Sequence, residues 1–196
     1  MCAYSNSYFT VPFGGLQVQT RNRTIVLSAA AFTFLAAATT TSLSAQSARL
    51  DDATIVAIFD AANTYDIETG QLAASRSRNS EVREFGRMLR RDHRAVRSQG
   101  RDLAKSLNVT PTPPRDFALA GAHVTAVRKL RGLHGRAFDR AFLQHEVDFH
   151  NAVIDAVTKT LLPAIQNAQV KDLVTKVAPA FVAHRDKAQS LLNGLK

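Results

Sequence analysis

Cysteine is almost missing from this 196-residue chain. Cys2 is the single one, so no disulfide can close within the chain and no thiolate cluster can assemble. Any metal bound here must be held by imidazole or carboxylate. Tryptophan is absent, and glycine and proline number only nine and six. A chain so poor in helix breakers, and rich in alanine, leucine, valine and arginine, suits helices. The turn-flanked alternation of β-branched and polar residues that marks a sheet is missing as well. No glycine-rich phosphate loop, nucleophile elbow or cysteine nucleophile is present, and nothing demands an enzyme. Acidic residues number 16 against 25 lysines and arginines, leaving a formal charge of +9.

Residues 1–48 hold no acidic residue at all. Arg21 and Arg23 precede the apolar run TIVLSAAAFTFLAAA, and the small, polar TTTSLSAQSA follows. Basic, then apolar, then small is the order of a secretory leader, here with an extension ahead of Arg21. The apolar core, about 14 residues, falls short of the roughly 20 that span a bilayer as a helix. A cleaved signal is therefore expected, cut between Ala45 and Ala48, in preference to an uncleaved anchor. Export to the periplasm or cell envelope would remove Cys2. It would also lower the formal charge from +9 by two arginines to +7. Residues 49–196 are expected to form the mature domain.

That domain resolves into helical segments with clear punctuation. Asp51 and Asp52 suit the start of a segment over residues 51–76. Asn79 or Ser80 can cap a second, ending near Asn108, where VTPTPPRD is a loop. A short helix is expected over 116–133, before the break GLHG. A third long segment covers 136–162 and stops at Pro163; a fourth covers 169–192, with Gly194 as terminator. Four long helices on short links predict an all-α, antiparallel four-helix bundle, with one additional short helix before the third long one.

Projection at about 100° per residue shows which polar groups face inward. On the third segment, Phe138, Phe142, Leu143, Phe149, Val153 and Val157 form a broad apolar arc. Glu146 and His150 fall near its middle and His145 at its edge. On the fourth, His184 lies within the stripe of Val174, Val177, Phe181, Ala188 and Leu191. On the second, His93 and Asp92 flank the centre of a stripe through Val82, Phe85, Leu89 and Val96. On the first, Asp66 and Glu68 flank a stripe set by Ile55, Ile58, Ala62, Tyr65 and Leu72; Glu68, with its longer reach, is the expected inward group. Pro179, five residues before His184, should kink the fourth segment.

Each of four helices thus offers a metal-competent group near its buried face. A lone buried charge is costly, so four such positions call for a joint explanation. One divalent transition metal, whether zinc, copper, iron or manganese, would supply it through Glu68, His93, Glu146, His150 and His184, with Asp66 and Asp92 as less favoured ligands. The same residues also fit a metal-free core, with hydrogen-bonded histidines and an i,i+4 pair of Glu146 and His150.

The stretches NTYDIETGQLA, EVREFGRMLRRDH, GLHGRAFDRAFLQHEVDFH and APAFVAHRDKA occur in that order. In this the chain resembles a bacterial family of exported domains of unknown function, labelled "predicted outer membrane protein" and grouped with the ferritin-like superfamily. The resemblance implies a ferritin-like bundle, export and a metal site. The family's acid-x-acid-x-Gly pattern matches Asp66, Glu68 and Gly70, its Asp-His pair matches Asp92 and His93, and its later histidines match His150 and His184. No reaction comes with it. The Glu-x-x-His motif of diiron ferritin-like proteins is not matched, because Arg90 and Phe181 stand three residues before His93 and His184. A mononuclear centre is easier to build.

Arg83, Arg87, Arg90, Arg91, Arg94, Arg97 and Arg101 project together on the second segment, opposite Val82 and Leu89. They are either a solvated face or a patch that docks on an anionic envelope surface. Nucleic acid is not the expected partner of an exported domain whose basic stripe lacks interleaved aromatics.

Overall fold

Helix ends in this protein are written in capping side chains. The Asp51 carboxylate accepts from the Thr54 N–H at 2.7 Å and opens α1 (Asp52–Arg76). Asn79 accepts from Glu81 and Val82 and opens α2 (Ser80–Ser106), which closes on Asn108 in the left-handed region, at φ 54°. In the computed structural model, which describes residues 50–115 and 117–195, α3 spans Ala118–Arg131 and α4 Gly135–Ala156. Asn167 caps α5 (Ala168–Gly194), which runs on through Pro179. The fold is all-α, with no strand among the described residues. The expected leader at residues 1–48 and Cys2 lie outside the described residues. No described helix is long and apolar enough to cross a membrane.

The third long segment departs from expectation at its end. Instead of remaining α to residue 162, it widens into a π turn at Val157–Leu161, where the Leu162 N–H reaches back to the Val157 carbonyl, and a single turn Leu162–Ala164 follows. Pro163 supplies the physical reason. Its ring needs room where an α-helix would place the carbonyl four residues earlier, and it has no N–H to contribute.

Contacts between α1 and α2 run in opposite senses, which fixes the pair as antiparallel. Asp60 pairs with Arg101, Thr64 with Arg97 at 3.1 Å, and Gln71 with Arg90. Across α4 and α5 the order is likewise reversed, with His150 beside His184 and Arg140 beside Leu195. The Asp52 carboxylate accepts from the backbone N–H groups of Gln166 and Asn167, tying the start of α1 to the start of α5. Arg76 donates to the carbonyls of Arg131 and Leu133 and fastens the α3–α4 link.

The apolar core comes in two halves. One gathers Ile55, Phe59, Ala104, Val157, Val174 and Phe181; the other gathers Val82, Phe85, Leu89, Phe138, Phe142 and Ala188. On every long helix a polar residue sits between the two: Asp66, His93, Glu146 with His150, and His184. Position along each rod, rather than any loop, therefore creates a polar layer inside the bundle.

The level of that layer is set by a close helix crossing. Gly70 and Gly86 meet so tightly that a Cβ on Gly86 would lie 2.6 Å from the Gly70 oxygen and 2.8 Å from Ala73 Cβ. Gly86→Ala must push the helices apart, and overpacking of this kind costs about 1–3 kcal/mol. Thermal unfolding followed by circular dichroism should show a melting temperature lower by several degrees. An unchanged melting temperature would contradict the close crossing.

Candidate metal centre

His93, His150 and His184 form a triangle of imidazoles, with ring centroids 5.0, 5.5 and 5.7 Å apart and interplanar angles of 52°, 87° and 64°. Rings so inclined can point in-plane nitrogens at a common spot. One ring atom from each lies within 4.8 Å of the others, and all three residues are buried. Asp66, Glu146 and His150 make a second such group beside the first. Both groups belong to the polar layer between the two apolar halves.

Partners on the far side of each ring decide where its proton sits. Asn63 donates its amide to the Phe59 carbonyl at 2.8 Å, which turns its oxygen toward His93 Nδ1 at 3.0 Å. His93 Nδ1 therefore carries the proton and Nε2 the lone pair. His184 Nε2 faces the Asp92 carboxylate at 3.3 Å, so its proton is there and its Nδ1 is free to accept. His150 Nδ1 donates to the Glu146 backbone carbonyl at 2.9 Å, while His150 Nε2 is buried with no partner. The His93 Nε2 and His184 Nδ1 lone pairs then confront each other at 3.2 Å with no hydrogen between them.

Such a confrontation is repulsive unless something positive stands between the nitrogens. A shared proton is disfavoured. Burial pushes the His93 imidazolium well down from its usual range, and the neighbouring His150 and His184 push it further. Burial likewise takes His150 down to about 3. A metal fits the spacing: nitrogens about 2.0–2.1 Å from a tetrahedral ion stand roughly 3.3 Å apart. The backs of the three rings are held by Asn63, Asp92 and the Glu146 carbonyl, as outer partners hold metal-binding histidines.

The Glu146 carboxylate shows the same lack of partners. Glu146 has no exposed surface, and neither of its side-chain oxygens has a hydrogen-bond partner. Burial lifts its carboxyl to about 7. Asp66 is raised well above the usual carboxylate range by burial and by the adjacent Glu146. Two buried acids in contact accept either protons or a cation.

Of the ligands expected from sequence, the structure brings together His93, Glu146, His150 and His184, and with them Asp66, the less favoured acid of α1. Glu68 is a correction. Its side chain is 56% exposed and accepts from His123 Nε2 at 2.7 Å, whereas Asp66 points into the layer. The reason lies on α3: His123 stacks on Tyr65 at 4.1 Å, so the Tyr65 side of α1, which looked like the core face, packs under α3 instead. Asp92 is 33% exposed and supports His184 from outside the imidazole triangle. His145 packs near Phe149, away from both groups. Asn63 went unnoticed in the sequence. Its one signal is a spacing of four and three residues from Phe59 and Asp66, which puts it on their face.

The arginines do not form one free face. Arg87 pairs with Glu84, Arg91 with Asp92 and Arg101 with Asp60. Arg90 and Arg97 lean over α1 to Gln71 and Thr64, and Arg83 reaches the Ser77 carbonyl. Arg94 is exposed and has no ion-pair partner among the described residues. Paired charges of this kind neutralise much of the stripe.

Fold and site together define a class: helical bundles that carry a buried cluster of imidazole and carboxylate across their core. The chain belongs to the family described as a domain of unknown function, DUF4142, whose pattern matches residues 36–191. Among solved structures it is similar to "CopM in the Cu(II)-bound form", with a TM-score of 0.57 and 13% sequence identity. That likeness covers 74% of this chain and 98% of the other. No curated protein matches.

The polar layer has a consequence for acid stability. His93, His150 and His184 are neutral in the fold and titrate normally when unfolded, as does His145, held down at about 4 by burial. Their contribution is complete above about pH 6.5 and is lost as pH falls. Glu146 and Asp66, with raised values, act oppositely, losing stability as pH rises through about 7 for Glu146. Even without His184, the three most strongly lowered groups, His93, His145 and His150, outnumber the two acids between about pH 6.5 and 4.5. The melting temperature of metal-free protein should therefore fall over that interval; a rise on acidification would contradict the neutral imidazoles.

Proposed function

We propose that the protein is an exported helical bundle that binds one divalent transition ion in its polar layer and acts in metal handling in the cell envelope. The observation that carries this reading is the pair of lone pairs on His93 Nε2 and His184 Nδ1, facing each other at 3.2 Å in a buried cluster where His150 Nε2 also lacks a partner. His93, His150 and His184 would hold the ion, with Glu146 and Asp66 as the adjoining oxygen donors. A set of imidazoles without sulfur suits copper(II) and zinc, and the Irving–Williams order puts copper(II) first. The similar structure, CopM, is a copper(II)-bound form, which supports the same choice. The leader-like residues 1–48 support a bundle working outside the cytoplasm. Bound ion would neutralise the acids of the layer and give each facing lone pair an acceptor.

Docking through the arginines is the weaker reading, because three of them already pair with carboxylates of the same chain.

Equilibrium dialysis of purified protein against copper(II), followed by metal analysis, tests the proposal. One equivalent should be retained, and ion at a hundredfold excess over its dissociation constant should stabilise the fold by about 2.7 kcal/mol. His184→Ala should weaken retention at least about tenfold while leaving the helical circular dichroism intact. Retention below about one tenth of an equivalent, with a melting temperature indifferent to copper, zinc, iron and manganese, would remove the metal reading.

A further inference from the structure

A cavity of ≈ 360 Å³ leads to the polar layer from the side of α4. Its walls are apolar: Ile58 and Phe59 from α1, Phe117 and Leu119 at the start of α3, Val157 and Leu161 from the π turn. Its rim carries Ala152 and Ala156 from α4 and Thr160 from the π turn, all exposed and the first two small, so none of these described side chains closes that side. Only Asn63, Asp66 and His93 are strongly polar, and these are the residues of the metal centre.

Shape and chemistry together select the occupant. A hollow lined almost wholly by apolar side chains, with polar groups only at its inner end, favours an apolar body with one polar head. A hydrated cation would lose its water shell along such walls with nothing to replace it, so this is no route for ions. Both polar ends of Asn63 are engaged, its amide with Phe59 and its oxygen with His93. Asp66 is left as the polar group able to meet a ligand, either donating or accepting one hydrogen bond. At the ~30 Å³ that a water-sized group takes in a liquid, ≈ 360 Å³ admits a molecule of roughly ten non-hydrogen atoms.

We propose that this cavity binds a small neutral molecule with a hydrocarbon body and one terminal hydroxyl or carbonyl, whose head rests on Asp66. The site goes beyond the metal reading; only the presence of a cation next to that head rests on it. Two functions would then adjoin in one bundle, an ion in the polar layer and an apolar ligand reaching it through the wall of α4.

The test uses the full chain, metal-free, titrated with 1-octanol in a calorimeter. Saturable one-to-one binding is expected. Thr160→Phe and Ala156→Phe, which fill the rim, should each weaken it at least about tenfold while retaining as much copper(II) as the unaltered protein. Should Ala156→Phe lose its helical circular dichroism, Thr160→Phe, altered at an exposed position, carries the test. Absence of saturable binding in the unaltered protein, or undiminished binding in the folded variants, overturns the proposal. Octanol binding without copper retention leaves the cavity standing and removes the metal reading. Copper retention without octanol binding does the reverse.

Discussion

Two imidazole nitrogens, His93 Nε2 and His184 Nδ1, are compelled to face one another close to the buried His150 ring, whose Nε2 has no partner, and the rest of the structure is arranged around that compulsion. The far side of each ring is occupied by a group that can only accept a proton's hydrogen bond: Asn63 Oδ1, the Asp92 carboxylate and the Glu146 carbonyl. Each occupant comes from a helix fixed by other means. Asn63 stands on α1, whose level against α2 is set by the Gly70–Gly86 crossing. Asp92 precedes His93 on α2 itself. The Glu146 carbonyl belongs to the same turn of α4 as His150. Moving any one rod by a helical turn would turn at least one lone pair away.

Such a layer is costly if its groups stay unpartnered. Unpaired buried polar groups cost on the order of 1–3 kcal/mol each, and an apolar core of the same volume would be easier to stabilise. Two well-packed halves absorb that cost, with Phe85, Phe138, Phe142 and Leu143 on one side and Ile55, Phe59, Val174 and Phe181 on the other. Phe181 lies nearly parallel to the His93 ring and seals one face of the triangle from water. A cation in this setting meets nitrogen and oxygen donors that have no competing partner. That is why the polar layer reads as a place prepared for an ion rather than as an accident of packing.

How much of this was legible in the sequence depended on how many neighbours each helix has. α4 and α5 bury one stripe, so projection placed Glu146, His150 and His184 inward, and α2 did the same for His93. α1 packs under α3 as well as against α2, and its apolar residues are therefore not confined to one side. Tyr65 and Leu72 suggested the wrong inner face, and with it Glu68 in place of Asp66. Helix starts at Asp51 and Asn79 were readable because capping is local, whereas the Asn167 cap was passed over, two residues ahead of the expected start. Neither the pairing of His123 with Glu68 nor the role of Asn63 is local, since each depends on a residue tens of positions away. The π turn lay hidden because Pro163 announces an ending without saying how the preceding turn will adjust.

Anomalous diffraction from a crystal of the copper(II)-loaded protein addresses the central claim most directly. A single strong peak is predicted inside the bundle, within about 2.0–2.2 Å of His93 Nε2, His150 Nε2 and His184 Nδ1. A peak held only by surface histidines such as His134, with the three inner rings still facing one another across an empty gap, would contradict the account.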